Sequence, residues 1–301
     1  VSQWSSIVLK EDTSAPDNNA PHDSVPTDRY TYSELADIYN QARVDYIVPM
    51  PMNGKRMEEY VVAYDIELNA SMVAVDTDDH QPNGICMLGI RDDRTWITRL
   101  GVIPARRRRR TGQFLMKTLI DESIKRDKKR VQLEVIKGND PAYRLFDKLG
   151  FIVTRELLVI RRPPGQLAEA LQVGADVIVS EIPDDDIWTV LQQRETNAAW
   201  TEETASLKNA GNMKGLHVTL PSGEQGWVIF QLLPFQLSHF VLSPDVSAKM
   251  TQTLIASVHT QYPLRDTKIE NVPTDHYSWP FYQKLGYFEA FSRIEMVRHL
   301  T

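Results

Sequence analysis

Residues 102–116 read VIPARRRRRTGQFLM and place five consecutive arginines, Arg106 to Arg110, in a chain whose formal net charge is −6. Three readings compete for such a run: a nucleic-acid patch, a solvated basic surface, or a pocket for a compact polyanion. The flanks favour the third. TWITRLGVI before the run is strand-like, while Leu115, Met116, Leu119, Ile120 and Ile124 after it form one apolar helical face. The run therefore stops where a helix begins, near Gly112. A helix start offers unpaired backbone N–H groups and the positive end of the dipole. That arrangement holds phosphate without reading a base. Arginines add planar, bidentate donors, and Gly112, with no Cβ, lets backbone approach a ligand.

The rest of the chain limits the alternatives. Its 301 residues exceed one ordinary domain, so two are expected. A hydrophobic content of 42% with 25% charged residues suits a soluble globular protein. The sequence pI near 5.7 argues against a dedicated nucleic-acid binder. The single cysteine, Cys86, excludes an intramolecular disulfide and a cysteine-based zinc cluster, and its expected place is the core. No apolar run approaches the roughly 20 residues that cross a bilayer. The opening VSQWSSIVLKEDTS lacks a basic stretch followed by an apolar one, so a cytoplasmic protein is expected.

Residues 1–29 are expected to be an extended, partly disordered segment with a possible first strand, because 11–29 are polar, acidic and proline-bearing. TYSELADIYNQARVDY predicts a helix capped by Ser33, and NGKRMEEYVVAYDIEL a second. SMVAVDT, GICMLGIRD and TWITRLGVI predict an antiparallel meander. RVQLEVI is a strand. DPAYRLFDKLG is a short helix with Asp140 as cap and Gly150 as stop, and FIVTRELLVIRR closes the unit. RPPGQ then breaks the pattern, and the order repeats. LFDKLGFIVTRELLVIRR has a counterpart in FYQKLGYFEAFSRIEMVRH. Two tandem α+β domains follow, over 30–162 and 176–301 with a linker at 163–175. Each has a mostly antiparallel central sheet flanked by helices. Trp188, Trp200, Trp227 and Trp279 are assigned to the second core. The histidines show no metal-ligand spacing, and His22 and His80 fall in loops.

Two segments carry a family resemblance. Val102, Pro104, Arg107, Arg110 and Gly112 follow the pattern V-x-P-x-x-(Q/R)-x-x-G-x-(G/A) with one departure, and NDPAYRLFDKLGF follows N-x-x-A-x-x-L-Y-x-x-x-G-F with another. Over about 30–162 the chain resembles the GNAT superfamily of acyl-CoA-dependent N-acetyltransferases, and over about 176–300 it does so more weakly, as a degenerate second copy. The resemblance implies acetyl-CoA, or another acyl-CoA, as cofactor. Backbone at Leu100, Gly101 and Val102 would meet the pantetheine arm and the thioester carbonyl. Backbone of Arg107, Arg108, Arg109, Arg110, Thr111, Gly112 and Gln113 would hold the diphosphate, with arginine side chains on the 3'-phosphate. Asn139 would contact pantetheine, and the helix bearing Phe146 would flank the thiol.

The departures matter. The first glycine of the family pattern is Arg110, and the tyrosine that protonates the departing thiolate is Phe146, which has no proton to give. Tyr143, one helical turn earlier, is a candidate replacement acid, and Glu134 in RVQLEVI a candidate base; packed or solvated side chains are the competing readings. The second copy has Tyr282 at the acid position, but its junction FVLSPDVSAKM contains neither arginine nor glycine. An acyltransferase acting on a small-molecule or peptide amine leads. An acyl-CoA-binding module and a non-specific nucleic-acid contact are the alternatives. The acidic chain suggests a cationic acceptor such as a polyamine, an aminoglycoside or a lysine-bearing peptide. Monomer and homodimer both remain open, and no membrane partner is expected.

Overall fold

A computed structural model describes residues 22–107 and 109–300 of the chain. Strand β1 (His22–Pro26) precedes two helices, so the end of the polar N-terminal segment is an edge strand. The remainder of that segment, to residue 21, lies outside the described residues. Helix α1 (Tyr32–Ala42) starts at Thr31 and not at Ser33, because Thr31 and Glu34 cap reciprocally. The Thr31 hydroxyl accepts from the Glu34 amide at 3.3 Å and the Glu34 carboxylate from the Thr31 amide at 2.7 Å. Asn53 caps α2 (Gly54–Ala63). The meander β2 (Met72–Asp76), β3 (Pro82–Arg91) and β4 (Arg94–Val102) is antiparallel as expected. It is followed by α3 (Thr111–Lys125), β5 (Arg130–Ile136), α4 (Asp140–Lys148) and β6 (Ile152–Arg162).

The second half repeats this order. After β7 (Ile178–Ile182), α5 (Ile187–Leu191) and α6 (Thr204–Ala210) come β8 (Met213–Thr219), β9 (Gln225–Leu232) and β10 (Gln236–Leu242). Then follow α7 (Ala248–Gln261), β11 (Asp266–Pro273), α8 (Trp279–Lys284) and β12 (Phe288–His299). Within 183–200 only Ile187–Leu191 forms an α-helix.

The halves do not close separately. One sheet runs β1-β2-β3-β4-β5-β12-β6-β11-β10-β9-β8-β7. The last strand of the chain, β12, lies against β5 of the first half, from Arg293 opposite Ile136 to His299 opposite Arg130. Conversely, β6 lies against β11 of the second half. FIVTRELLVIRR and the C-terminal strand, each expected to close its own unit, are thus exchanged, and they pair with each other in the middle. Alternation explains why the swap is tolerated. Met296 of β12 presents an apolar side chain to the first-half core with Leu115, Leu119, Leu133 and Phe151, while Leu158 and Ile160 of β6 join the second-half core.

A second crossing is aromatic. Trp200, assigned from sequence to the second core, enters the first-half core instead. It stacks on Trp96 with ring centroids 5.7 Å apart, and its indole donates to the Tyr64 carbonyl at 2.9 Å. Gly89 makes room: a Cβ there would come within 2.9 Å of the Trp200 ring. Arg91, with its guanidinium 4.2 Å from the ring centre, covers the other side.

Met296→Ala is expected to cost about 2–5 kcal/mol, the usual loss for a fully buried large-to-small change. Because the strand is shared, tryptophan fluorescence and far-UV ellipticity should report one denaturant transition. Two separated transitions would refute the interlocked arrangement.

Candidate active site

The site begins where two parallel strands part. β4 and β5 pair only from Arg94–Trp96 to Arg130–Gln132. Beyond that point β4 gains one residue on β3: Thr98 lies opposite Met87 and Gly101 opposite Ile85. Arg99, at φ 55°, takes the left-handed conformation that lets the strand bulge. From Ile97 onward β4 makes no pairing with β5. The edge of Thr98–Val102 and that of Glu134–Ile136 form the walls of a wedge-shaped opening.

At one end of the wedge lies the arginine loop. Three of its side chains turn back onto the protein. Arg107 grips the Asp45 carboxylate bidentately at 2.6 and 2.7 Å, Arg106 pairs with Asp79 at 2.6 Å, and Arg109 pairs with Asp76 at 2.6 Å. Arg108 lies outside the described residues. His22 of β1 fastens the turn from below. Asn83 donates to its Nδ1 at 3.0 Å, which leaves Nε2–H to donate to the Arg109 carbonyl at 2.8 Å, beside Thr111 Oγ1 at 3.1 Å. Sequence spacing could not signal this brace, because Asn83 and Arg109 stand 61 and 87 residues from His22.

Arg110, at φ 61°, occupies the N-cap of α3, and no side chain caps that helix. The Phe114 amide already donates to the Arg110 carbonyl, so the amides of Thr111, Gly112 and Gln113 are the ones a helix start leaves without internal partners. The helices α1, α2, α4 and α7 are capped, by Thr31, Asn53, Asn139 and Ser247. Gly112 is half-buried between Val102 and Leu145. A Cβ there would meet Leu145 at 3.4 Å.

At the other end of the wedge, on the α1/α2 side of the sheet, is a cavity of about 140 Å³. Its first-half walls are Arg43, Tyr46 and Met50 near the end of α1, Tyr60 and Tyr64 of the α2 region, Trp96, Thr98 and Arg99 of β4, and Glu134 and Ile136 of β5. Thr201, Glu270 and Arg293 reach it from the second half. Glu134 accepts the Trp96 indole N–H through Oε2 at 3.0 Å, while its Oε1 is out of water with no hydrogen-bond partner among the described residues. Burial raises the carboxyl to a pKa of about 7, against the opposing pull of Arg293. A carboxylate poised near neutrality in a cavity is suited to proton transfer.

Residues 35–151 match the acetyltransferase (GNAT) family. They form a GNAT acetyltransferase domain. No curated protein matches the chain in sequence. Solved structures share its fold along nearly the whole length. A GCN5-related N-acetyltransferase from Sphaerobacter thermophilus is 12% identical with a TM-score of 0.69, covering 95% of this chain and 97% of its own. A tandem GNAT protein from the clavulanic acid biosynthesis pathway is 13% identical with a TM-score of 0.64, covering 92% and 98%. A putative acetyltransferase from Pyrococcus horikoshii is 12% identical with a TM-score of 0.62, covering 98% and 93%.

Other expected site residues of the GNAT domain fall as follows. Leu100, Gly101 and Val102 line the open β4 edge, with Gly101 against Ala42 so closely that a Cβ would sit 2.8 Å from it. Asn139, not Asp140, caps α4 by accepting from the Ala142 amide at 3.4 Å, and its Nδ2 donates to the Tyr46 hydroxyl at 3.2 Å. Phe146, expected beside the thiol, is buried in the first-half core 6.1 Å from Phe151, because it lies on the inward face of α4. Tyr143 is half-buried at the edge of the same core. No helix among the described residues is long and apolar enough to cross a membrane.

The second half keeps the wedge but not the helix start. β10 and β11 pair only at Gln236–Leu237 with Asp266–Thr267, and His239, at φ 53°, stands at the bulge of β10 as Arg99 does on β4. At the start of α7, however, the Glu224 carboxylate accepts from the Ser247 amide and hydroxyl, both at 2.7 Å. The protein's own anion fills that end. Tyr282 is buried against Tyr287 and Phe240.

A raised carboxyl pKa binds its proton more tightly in the folded state, so its contribution to stability is lost as pH rises from about 4.5 to about 7. Glu134→Gln keeps an oxygen for Trp96 and lacks that loss. Its melting temperature should exceed that of the wild type by a few degrees at pH 8, the gap closing toward pH 4.5. Parallel curves would show an ordinary carboxyl.

Proposed function

We propose that this protein is an N-acyltransferase that moves an acetyl or related acyl group from acetyl-CoA to the primary amine of a small molecule or peptide, with the chemistry in the first half. The observation that carries this reading is the wedge between β4 and β5, which has a helix start with no side-chain cap at one end and a carboxylate with a buried oxygen at the other. The amides of Thr111, Gly112 and Gln113, with the backbone of the arginine loop, would hold the diphosphate. The unpaired edge of Leu100, Gly101 and Val102 would align the pantetheine arm as an added strand does. When bound, acetyl-CoA supplies its acetyl group activated as a thioester.

The remaining work falls to side chains. Glu134 Oε1 accepts the proton that the acceptor ammonium must lose before its nitrogen can form the new amide bond. The Tyr143 hydroxyl delivers a proton to the sulfur as the carbon–sulfur bond breaks, in place of the missing hydroxyl at Phe146. As the carbon–sulfur bond breaks the new amide nitrogen gives up its second proton to solvent, Glu134 later returns the first one there, and solvent re-protonates Tyr143. The residue at 146 also favours a second reading, an acyl-CoA-binding module with little turnover, since a buried phenylalanine takes no part in proton transfer.

Gly112→Asp separates binding from folding. A carboxylate in the first turn favours the helix but repels a diphosphate, so acetyl-CoA affinity measured by calorimetry should fall at least about tenfold with no loss of melting temperature. Unchanged affinity would place the cofactor elsewhere.

Catalysis has its own test. Glu134→Gln should lower kcat by about 10²–10⁴-fold and remove an acid limb with an apparent pKa of about 7. The limb rises with pH because the base must be deprotonated. Tyr143→Phe should lower kcat with little change in KM. Tight acetyl-CoA binding with no transfer to any amine would decide for the binding module.

A further inference from the structure

Within the acyltransferase reading, the acceptor cavity carries a charge pattern that narrows the substrate. Five charged side chains line it: Arg43, Arg99, Arg293, Glu134 and Glu270. Two of them cancel internally. Arg293 pairs with Glu270 at 2.7 Å, and Lys268 closes on the same carboxylate from behind. Arg43 and Arg99 have no carboxylate partner among the described residues. They are held by aromatic rings instead. The Arg43 guanidinium lies 3.3 Å from the Tyr46 ring centre, and that of Arg99 lies 3.9 Å from the Tyr60 ring centre while donating to the Tyr39 hydroxyl at 2.9 Å. The Nε of both is out of water and, among the described residues, without a hydrogen-bond acceptor.

Arg43 and Arg99 are half-buried with their Nε atoms out of water, and guanidinium groups withdrawn from solvent are ordinarily paired with anions. A ring stack orients a guanidinium but brings no counter-charge. An amine that is only a cation would meet two uncompensated positive groups here, with one carboxylate in return. We infer that the acceptor is a small zwitterion, an amine bearing its own carboxylate or phosphate, whose anionic group lies between Arg43 and Arg99 while its nitrogen faces Glu134. The size agrees: about 140 Å³ is close to a cavity that holds benzene, enough for an amino acid with a short side chain and too little for an aminoglycoside. The sign is opposite to the one suggested by the net charge of the whole chain.

The test compares matched pairs on the full-length protein with acetyl-CoA: alanine against ethylamine, serine against ethanolamine, and O-phosphoethanolamine against ethanolamine. The anion-bearing member should be favoured about 10- to 100-fold in kcat/KM, the discrimination expected of charge-assisted hydrogen bonds. Serine against O-phosphoethanolamine tells carboxylate from phosphate. Arg43→Met and Arg99→Met should each reduce that preference to near unity through KM, with acetyl-CoA affinity unchanged. Arg43→Met alone suffices if Arg99→Met does not fold.

Equal or better use of the plain amines would overturn the inference and leave the acyltransferase reading intact. Loss of acetyl-CoA affinity in both variants with the preference retained would overturn it too, by assigning the arginines to the cofactor. Should no amine be acetylated, calorimetry with the same compounds decides: binding of the zwitterions alone supports the inference, and binding of none, or of both members alike, ends it.

Discussion

The position of β12 between β5 and β6 is the constraint on which the molecule rests. A sheet that ends at β5 would present an unpaired edge beside the site, and edges of that kind invite pairing with other chains. The exchanged strand removes the edge and gives each half an apolar layer it lacks. It also carries chemistry. Because Arg293 is opposite Ile136 in the β5–β12 register, the last strand of the sequence delivers a guanidinium to the rim of the first-half cavity. The cavity beside β4 and β5 is therefore not contained within the first half, since the second half supplies part of its wall.

The two wedges show how duplicates diverge at small cost. Both retain a strand bulge, a short parallel pairing and a helix aimed at the opening. They differ at the helix start, where Ser247 caps α7 and the Glu224 carboxylate binds that cap. Glu224 satisfies the start of α7 from within, whereas α3 is left uncapped under a loop braced by His22, Asp45, Asp76 and Asp79. Arg106, Arg107 and Arg109 are thus not free positive charges. They spend their side chains fixing the backbone that faces the wedge, which accounts for a basic run in an acidic protein. Preorganised amides cost nothing to reorient when an anion arrives.

Local structure was legible from the sequence wherever it depended on periodicity. The meander, the apolar face of α3, the strand β5 and the order of the second half all follow from apolar spacing and turn residues. Caps were harder, since Thr31 and Asn139 compete with adjacent polar residues and geometry decides between them. What the sequence could not reveal was contact at long range. The closing strands β6 and β12 carry similar apolar patterns, so nothing in either tells which half it will complete. Trp200 looks like any core tryptophan until Gly89 is seen to leave space for it. The cavity charges were hidden for the same reason, because Arg43, Arg99 and Arg293 come from three distant segments.

Glu134 joins these threads. Its carboxyl is pushed up by burial beneath Trp96 and held down by Arg293, and the balance leaves it near neutrality. Either influence alone would move it away from neutrality: without Arg293 burial would hold it protonated to higher pH, and with full solvation it would be an ordinary, weakly basic carboxylate. Arg293 is itself restrained by Glu270, which Lys268 neutralises from the far side. The basicity of a first-half residue is consequently set by a chain of charges on β11 and β12. The second half thus tunes a first-half carboxyl even though its own helix start is closed.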